Sequence, residues 1–357
     1  MLEPTTNCTA FTPSDIRDAG ADFLAKAMGA NPVHPHPVSD QMRLRELTLA
    51  EAAYILGEPE LKRRGASGKS ASSIVAAGLT TDDFGSILEA SVARLVAQAY
   101  RAAAEHRALL HPYPLPNYHP AEIATVDVDV DVGEVTELQE LPLVQVDVGA
   151  GNVAQVQAYA ANLVVSYKLV VNDDLDALTT MARAMAVSAA RREARVLYEF
   201  LEGNPTMGDG QAMFHADHGN LLSGIGALGP ATLGTAMAAL RDQQTPGGQY
   251  ANHGLETLLV NSADEQVARQ VVRDTGSEAR VIAAPWIGSG NFYAMAAPAT
   301  APTIAMVYLG PRGDTAMQTV RVSRRPPDRT HRRTGVEIAH DFGFAPVSRV
   351  GIVKATN

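Results

Sequence analysis

The sequence contains one helical segment that is long enough to span a domain. Residues 175–202 contain neither proline nor glycine, and their apolar positions recur at helical spacing. Asn172, Asp173 and Asp174 supply side-chain acceptors for the first turn, and Gly203-Asn-Pro205 ends the helix. At 1.5 Å per residue such a helix spans roughly 40 Å. We therefore predict a long strut helix along one domain.

The segment before this helix predicts an extended hairpin. Residues 126–132 alternate valine and aspartate strictly, which is typical of a strand with one buried and one exposed face. A second strand-like run follows over residues 153–171. We predict a long two-stranded hairpin with its tip near residues 149–151. Because an isolated hairpin is only marginally stable in water, we expect it to lie on a neighbouring subunit.

The N-terminal third predicts helices joined by less regular segments. Pro32, Pro35 and Pro37 favour an extended path, which suits an arm lying on a neighbour. A helix is predicted over residues 40–56, ended by Gly57 and Pro59, then a basic flexible linker over 62–72. A second helix is predicted over about 83–107, and a proline-rich connector over 111–120.

The C-terminal half predicts a compact α/β domain, because strands and helices alternate. The predicted helices cover residues 231–243 and 262–273, and the predicted strands cover 255–261, 280–284, 292–297 and 303–309. Residues 319–353 return to strand patterns, including 336–340 and 347–353.

His215, Asp217 and His218 form the best candidate catalytic cluster, and His253 or Asp209 could complete a metal site. Glycines surround the cluster, however, and they favour a loop without fixed helical spacing. The sequence contains neither a nucleophile-elbow serine nor a dinucleotide-binding fingerprint. We therefore predict no catalytic, cofactor-binding or metal-binding residues and no enzymatic activity.

The amino-acid composition argues against several further classes of protein. The formal net charge of -10 argues against general nucleic-acid binding, which needs clustered basic residues. A single cysteine excludes an intrachain disulfide and an all-thiolate metal site. The first ten residues lack the pattern of a secretory signal, and no apolar run reaches the length of a membrane helix. We expect synthesis in the cytosol and no membrane partner.

Several segments together resemble a known family. Residues 170–175 with the long helix, residues 209–221 and the closing segment 335–343 resemble Mu-type major head subunits of tailed phages. They also resemble the capsid halves of fused prohead protease and major capsid proteins. Residues 78–84 resemble the start of that family's first long helix, so the resemblance touches most of residues 75–353 in the same order.

The resemblance implies an α+β fold of the Hong Kong 97 type. It would comprise an N-terminal arm with helices (1–120), an extended E-loop hairpin (125–165), a peripheral domain with the spine helix (166–225), an axial domain (226–318) and a return to the peripheral domain (319–357). The implied function is a major capsid protein that self-assembles into the icosahedral head around phage double-stranded DNA. The alternatives are an encapsulin-type nanocompartment shell and a metal-dependent hydrolase using His215 and His218.

The resemblance also implies partners and a location. Copies would form the pentamers and hexamers of the shell, with portal, scaffolding and decoration proteins as further candidate partners. The shell would enclose DNA without sequence-specific binding, in virions assembled in the cytoplasm of a bacterial host. We expect any maturation protease to be a separate product or absent, and we expect no covalent cross-link at Lys168.

Opposite charges suggest one set of contacts between subunits. The acidic residues are Glu134, Glu137, Glu140 and Asp147, and the basic residues are Arg324, Arg325, Arg332 and Arg333. We predict that the two sets pair across neighbouring subunits. The basic stretch could instead be a solvated loop, or contact DNA on the inner wall of the shell.

Overall fold

The computed structural model describes residues 12–30, 35–44, 49–63, 74, 77, 82–123, 126–127, 147–148, 151–166, 175–245, 248–311, 317, 320–328 and 333–357. The chain divides into two compact units. The first unit comprises Met1–Ala104, Ala158–Arg191 and Thr319–His340, and the second comprises Glu105–Gln157, Arg192–Gln318 and Asp341–Asn357.

The helices of the first unit are α1 (Pro13–Ala27), α2 (Ser39–Leu44), α3 (Leu49–Arg63), α4 (Asp82–Ala103) and the first part of α5 (Leu175–Glu202). The predicted strut helix is confirmed as α5, 28 residues long. Its proposed capping residues 172–174 lie outside the described residues. The core of this unit packs Ile16 and Phe23 of α1, Val92 of α4, and Ala182 and Ala186 of α5. Alanine on α5 leaves room for close helix packing.

Helix α1 begins with a capping box. The hydroxyl of Thr12 accepts the Asp15 N–H at 3.2 Å, and the Asp15 carboxylate accepts the Thr12 N–H at 2.9 Å. Pro13 fits the first helical position, where no N–H is needed. The hydrogen bonds from Thr12 lower the pKa of Asp15.

The segment after α1 is held against the helices. The Asp22 carboxylate accepts the His36 N–H at 2.6 Å and pairs with Arg94, and Lys26 pairs with Asp40. Residues 35–40 are therefore tied to their own subunit and do not extend from it as an arm. Residues 1–11 and 31–34, which include the start of the predicted arm, lie outside the described residues.

The predicted end of the helix at Gly57 and Pro59 is wrong, because α3 continues through both residues to Arg63. Ala53 and Leu56 are buried in the core on the same helix. This packing outweighs the single backbone hydrogen bond that an interior proline removes. Most of the predicted linker, residues 64–72, lies outside the described residues.

Three strands contribute to the first unit: β6 (Gln157–Ser166), β12 (Arg321–Asp328) and the first half of β13 (Arg333–Pro346). Strand β12 is antiparallel to β13, with Arg321 opposite Ala339 and Arg324 opposite Val336. Arg324, Arg325 and Arg333 thus lie on paired strands and not in a loop, whereas residues 329–332 lie outside the described residues. The register of β12 with β13 shifts between Arg325 and Asp328, where two prolines interrupt the ladder.

The second unit contains the base of the predicted E-loop hairpin. Strand β2 (Ala121–Ile123) pairs antiparallel with β5 (Asn152–Ala154), and β3 (Val126–Asp127) pairs with β4 (Asp147–Val148). Since Asp147 already pairs with Asp127, the predicted tip at 149–151 is wrong. Residues 128–146 lie outside the described residues. Gly151 serves close packing instead, since a Cβ there would lie 2.8 Å from Glu122 Cβ.

Another group of strands in the second unit surrounds the C-terminal half of β13. Strand β1 (His111–Leu115) runs parallel to β11 (Ile304–Leu309), and β11 is antiparallel to β13 from Phe342 to Pro346. The predicted connector over 111–120 therefore contains a strand. Its prolines suit an edge position, where a missing N–H is tolerated.

The remaining sheet of the second unit has the order β7 (Leu221–Ser223), β14 (Ile352–Thr356), β10 (Phe292–Met295), β8 (Thr257–Asn261) and β9 (Arg280–Ala284). Helices α6 (Pro230–Asp242) and α7 (Glu265–Asp274) bury Leu233, Leu240 and Val271 with this sheet. The predicted alternation of helices and strands is confirmed here. The last strand begins five residues later than predicted, because residues 347–351 form a turn with Gly351 at φ +98°.

Helices and sheets together confirm the predicted α+β class. Among the described residues, no helix combines the length and apolar character that crossing a membrane requires.

Candidate functional site

The predicted His215 cluster lies in a turn between α5 and β7 that the amide side chains of Asn204 and Asn220 organise. Asn204 brackets Phe214, accepting its N–H at 2.7 Å and donating to its carbonyl at 3.0 Å. Asn220, fully buried, accepts the His215 N–H at 3.0 Å and donates to the Met213 carbonyl at 2.8 Å. These side chains replace the backbone partners that a regular strand would supply.

His218 has both ring nitrogens occupied. Its side chain is 2% exposed, with Nδ1 3.1 Å from the Met213 carbonyl oxygen and Nε2 2.9 Å from Asp209 Oδ2. Both partners are acceptors, so both hydrogen bonds form when each ring nitrogen carries a proton. A metal needs a free imidazole lone pair, and this geometry directs none towards solvent.

Asp209 is the charged partner of His218. Burial alone would raise the pKa of Asp209, but the Gln211 N–H, the hydrogen bond and charge of His218, and the charge of Arg349 together lower it. Arg349 Nη1 lies 3.8 Å from the same carboxylate oxygen that His218 approaches. The three side chains therefore form a local charge network that fixes the turn.

The other members of the predicted cluster do not converge on a common point. His215 caps the 3-10 turn Ala216–His218 by accepting the Asp217 N–H at its Nδ1, 3.2 Å away. Burial lowers the pKa of His253. Among the described residues, no group of three His, Cys, Asp or Glu side chains could hold a metal ion. The arrangement can stabilise a turn, and it offers no set of ligands.

A buried charge cluster was missed at the sequence level. Glu193, fully buried on α5, lies 2.7 Å from His106 Nε2 and accepts from Arg107 Nε at 2.9 Å and Nη2 at 3.1 Å. His106 and Arg107 belong to the 3-10 turn Glu105–Leu109. Glu193 is far from His106 and Arg107 in the sequence, and all three residue types are common on exposed helices. The sequence therefore contains no signal for this contact.

A second missed cluster surrounds Glu202 at the end of α5. The Tyr293 hydroxyl donates to Glu202 Oε1 at 2.7 Å, and Asn291 Nδ2 donates to Oε2 at 3.2 Å. Lys354 Nζ lies 3.7 Å from Oε2 and 5.2 Å from the centre of the Tyr293 ring. Burial and the neighbouring carboxylate raise the pKa of Tyr293. This cluster joins the end of the helix to β10 and β14.

Large apolar side chains remain exposed in both units, and they mark candidate contact surfaces. In the first unit they are Val164 and Met181, and in the second they are Tyr118, Val153, Tyr250 and Val267. Val153 on β5 of the hairpin is 65% exposed. Covering this β-branched side chain would bury apolar surface, so Val153 is a candidate contact residue.

The second unit also contains an open polar cleft of about 480 Å³. Asp217, Asp242 and Arg349 supply its charged groups, and Gln244 and Thr245 line it further. The cleft has an acidic character, because two carboxylates face one guanidinium.

The predicted charge pairs lie beyond what the structure describes. Glu134, Glu137, Glu140 and Arg332 lie outside the described residues. The backbone of the others is placed on strands β4, β12 and β13, but their side chains are not described: Asp147, Arg324, Arg325 and Arg333. Their pairing stays a prediction.

Comparison with known proteins gives one match to a family. The model of a family described as phage capsid protein matches residues 151–355. No curated protein sequence matches the chain.

Solved structures of shell proteins are similar at low sequence identity. A virus-like particle from Pyrococcus furiosus is 12% identical, with a TM-score of 0.48, over 74% of this chain and 97% of that one. A structure of Mycobacterium phage Patience is 15% identical, with a TM-score of 0.43, over 78% and 90%. The holo-SrpI encapsulin complex of Synechococcus elongatus PCC 7942 is 9% identical, with a TM-score of 0.43, over 70% and 85%.

Proposed function

Since the chain belongs to the phage capsid protein family, we propose that many copies of it assemble into an icosahedral head that encloses phage double-stranded DNA. The observation that carries this proposal is the family match over residues 151–355, more than half of the 357 residues. The chain is a shell-forming capsid protein, and its role is structural. The Hong Kong 97 type of fold was expected from the sequence segments that resemble major head subunits.

We assign the parts of the chain by this proposal. Residues 1–120 form the N-terminal arm with its helices, 125–165 the E-loop, 166–225 the peripheral domain with α5 as spine helix, 226–318 the axial domain, and 319–357 the return to the peripheral domain. The 28-residue α5 supports the spine helix, and the α/β arrangement of α6, α7 and strands β8–β10 supports the axial domain. Strands β7 and β14 lie in the same sheet as β8–β10, so this sheet does not support placing residues 221–223 and 352–356 in the peripheral domain.

The hairpin is the main contact between neighbours in this proposal. Its described base is a two-stranded ladder, and Val153 on it is 65% exposed. A two-stranded ribbon buries little apolar surface by itself, so a neighbouring subunit that covers Val153 stabilises it. Each such contact is weak, but many copies acting together give a large avidity.

Charge pairing between neighbouring subunits would fix their relative orientation in these contacts. We propose that the acidic hairpin residues Glu134, Glu137, Glu140 and Asp147 meet the basic residues Arg324, Arg325, Arg332 and Arg333 of the next copy. The net charge of -10 supports pairing over broad DNA binding. In Glu137→Arg, shell yield should fall, and adding Arg325→Glu should recover part of it.

The same proposal names further candidate partners of the head, although the chain itself assembles into shells. A portal, a scaffolding protein and a decoration protein are the candidate partners, and assembly takes place in the bacterial cytoplasm. The enclosed DNA is held without sequence-specific contacts, and the net charge of -10 supports this by disfavouring general attraction to phosphates.

Electron microscopy of the purified chain tests the proposal. The unchanged chain should form closed shells, and a variant with residues 130–144 replaced by a short Gly-Ser turn should stay soluble without forming them. Val153→Ser should lower shell yield, whereas the matched change Val267→Ser on α7, 45% exposed, should not.

Three outcomes would contradict the proposal. An unchanged chain that stays monomeric at high concentration would refute the assembly of shells. Shells that form normally from the shortened variant would refute the role of the hairpin. Shells isolated from their natural source with a cargo enzyme in place of DNA would refute the phage head and favour a nanocompartment.

A further inference from the structure

The turn around His218 contains a chemically sensitive step of the main chain. Asp209-Gly210 is the one Asp-Gly step in the sequence, which contains no Asn-Gly step. Because glycine has no Cβ, the main-chain nitrogen after the aspartate can approach the side-chain carboxyl group closely. Both residues are exposed to solvent in the structure. This step therefore meets the chemical requirements for conversion of aspartate into isoaspartate.

The conversion proceeds through a cyclic imide and needs only water. The Gly210 nitrogen forms a bond with Asp209 Cγ, a Cγ–O bond breaks, and the amide proton leaves with the carboxyl oxygen as water. One water molecule then opens the ring. If it attacks the main-chain carbonyl of Asp209, the bond between that carbonyl and the Gly210 nitrogen breaks. The main chain then runs through Cγ and is one carbon longer.

The turn requires the glycine that makes this step sensitive. Gly210 has a φ of +83°, a conformation that residues with a Cβ rarely adopt. Its N–H donates to the Met207 carbonyl at 3.0 Å, so the nitrogen that would attack Asp209 Cγ keeps its proton in a hydrogen bond. Protection against the conversion therefore has to come from contacts around the two residues and not from a different residue at position 210.

The Asp209 carboxylate is held at both of its oxygens. Oδ1 accepts the Gln211 N–H at 3.0 Å, and Oδ2 lies 2.9 Å from His218 Nε2 and 3.8 Å from Arg349 Nη1. The His218 side chain is only 2% exposed, and its Nδ1 lies 3.1 Å from the Met213 carbonyl oxygen. His218 is thus fixed in the turn, and it cannot follow the carboxylate if Asp209 rotates.

The charge of Asp209 acts in the same direction. Burial opposes ionisation, but the surrounding donors and positive charges lower the pKa of Asp209. An ionised carboxylate is a poorer target for the attacking nitrogen than a protonated carboxyl group, because it does not lose water readily.

We propose that His218 protects Asp209 from conversion into isoaspartate by holding its carboxylate in place. Cyclisation has to break the hydrogen bond between His218 and Asp209, and this requirement raises the barrier. The role is additional to the stabilisation of the turn, because it concerns the covalent lifetime of the main chain. The inference goes beyond the proposed shell assembly and does not depend on it.

Incubation of His218→Ala for several weeks at pH 6 tests the inference. The protein is then unfolded and digested with a protease that cleaves before aspartate but not before isoaspartate. Mass spectrometry gives the fraction left uncut between Gly208 and Asp209. Since a hydrogen bond to a charged group is worth about a factor of ten in rate, isoaspartate should form that much faster in His218→Ala than in the unchanged protein.

Two control variants separate this effect from a general loss of stability. His215→Ala removes the other histidine of the turn, which accepts the Asp217 N–H. Glu193→Ala removes a buried carboxylate that pairs with His106 and Arg107. Both variants should form isoaspartate at the rate of the unchanged protein. Equal rates in His218→Ala and either control would overturn the inference, and so would a rate in His218→Ala that equals the rate in the unchanged protein.

A measurement on the unchanged protein decides if His218→Ala does not fold. The protein is incubated at pH 6 in buffer and in urea, which unfolds the turn and separates His218 from Asp209. Isoaspartate at position 209 should form at least about tenfold more slowly in buffer. Equal rates in buffer and in urea would overturn the inference.

Discussion

Glu193 Oε1 lies 2.7 Å from His106 Nε2, in a position where the Glu193 side chain has no solvent exposure. The same carboxylate accepts two hydrogen bonds from Arg107. The long helix α5 is thus fastened, in the second unit, to the turn that precedes β1. A buried carboxylate is tolerated here because its oxygens are fully engaged by donors.

Replacing Glu193 by alanine should lower the free energy of unfolding by about 3–5 kcal/mol, because it leaves buried donors without their counter-charge. Urea unfolding followed by circular dichroism measures the change. Glu199→Ala removes an exposed pair with Arg195 on the same helix and should cost less than about 1 kcal/mol. Equal effects of the two variants would contradict the role of the buried cluster.

Gly343 lies where another backbone segment crosses β13. A Cβ at this position would overlap the carbonyl oxygen of Gln155. Gly343→Ala should therefore destabilise the protein by about 3 kcal/mol or more, since a backbone atom cannot move aside as a side chain can. The measurement is the midpoint of thermal unfolding.

The matched control for Gly343 is Gly234 in the interior of α6. Nothing lies within 4 Å of a Cβ placed there, so Gly234→Ala should stabilise the protein by about 0.5–1 kcal/mol. If Gly343→Ala and Gly234→Ala shift the midpoint in the same direction, the close approach of Gln155 is not the reason that position 343 needs a glycine.

Local signals made the long helix predictable from the sequence. Residues 175–202 contain no helix breaker, and Gly203 and Pro205 mark the end, so no distant contact was needed. Helix α1 carried an equally local signal in Thr12, Pro13 and Asp15, a capping box that was not recognised. The prolines that follow α1 drew attention to an extended arm instead.

Features that depend on distant contacts were not predictable. Gly149-Ala-Gly151 looks like a turn, but the pairing of Asp127 with Asp147 places the turn elsewhere. What fixes Gly151 is the passage of Glu122 beside it, which no local pattern reveals. The Glu193 cluster similarly joins residues 86 and 87 positions apart.

The stabilisation that Asp209 provides should depend on pH. Its pKa is lower in the folded protein than in the unfolded chain, so its stabilising contribution is present above the unfolded value of about 3.9 and is lost as the pH falls through the folded value. Asp209→Asn should lower the midpoint of thermal unfolding at pH 6, and the difference from the unchanged protein should shrink towards pH 3.

Asp264→Asn is the control for this pH dependence, because Asp264 lies in the 3-10 turn before α7, away from His218. It should show a smaller effect at pH 6 than Asp209→Asn. A difference for Asp209→Asn that stays constant from pH 6 to pH 3 would contradict the charge network.

Chelation distinguishes the turn around His218 from a metal site. Both His218 ring nitrogens face oxygen acceptors, so EDTA should leave the unfolding midpoint unchanged. His218→Ala should still cost about 1–3 kcal/mol, because it removes a donor from the Met213 carbonyl and from Asp209. His215→Ala, which removes a partly exposed cap, should cost less.

One outcome would contradict the assignment of His218 to a structural turn. A bound metal and the two His218 hydrogen bonds compete for the same ring nitrogens. Stoichiometric zinc in the purified protein, lost in His218→Ala, would therefore support a metal-dependent hydrolase.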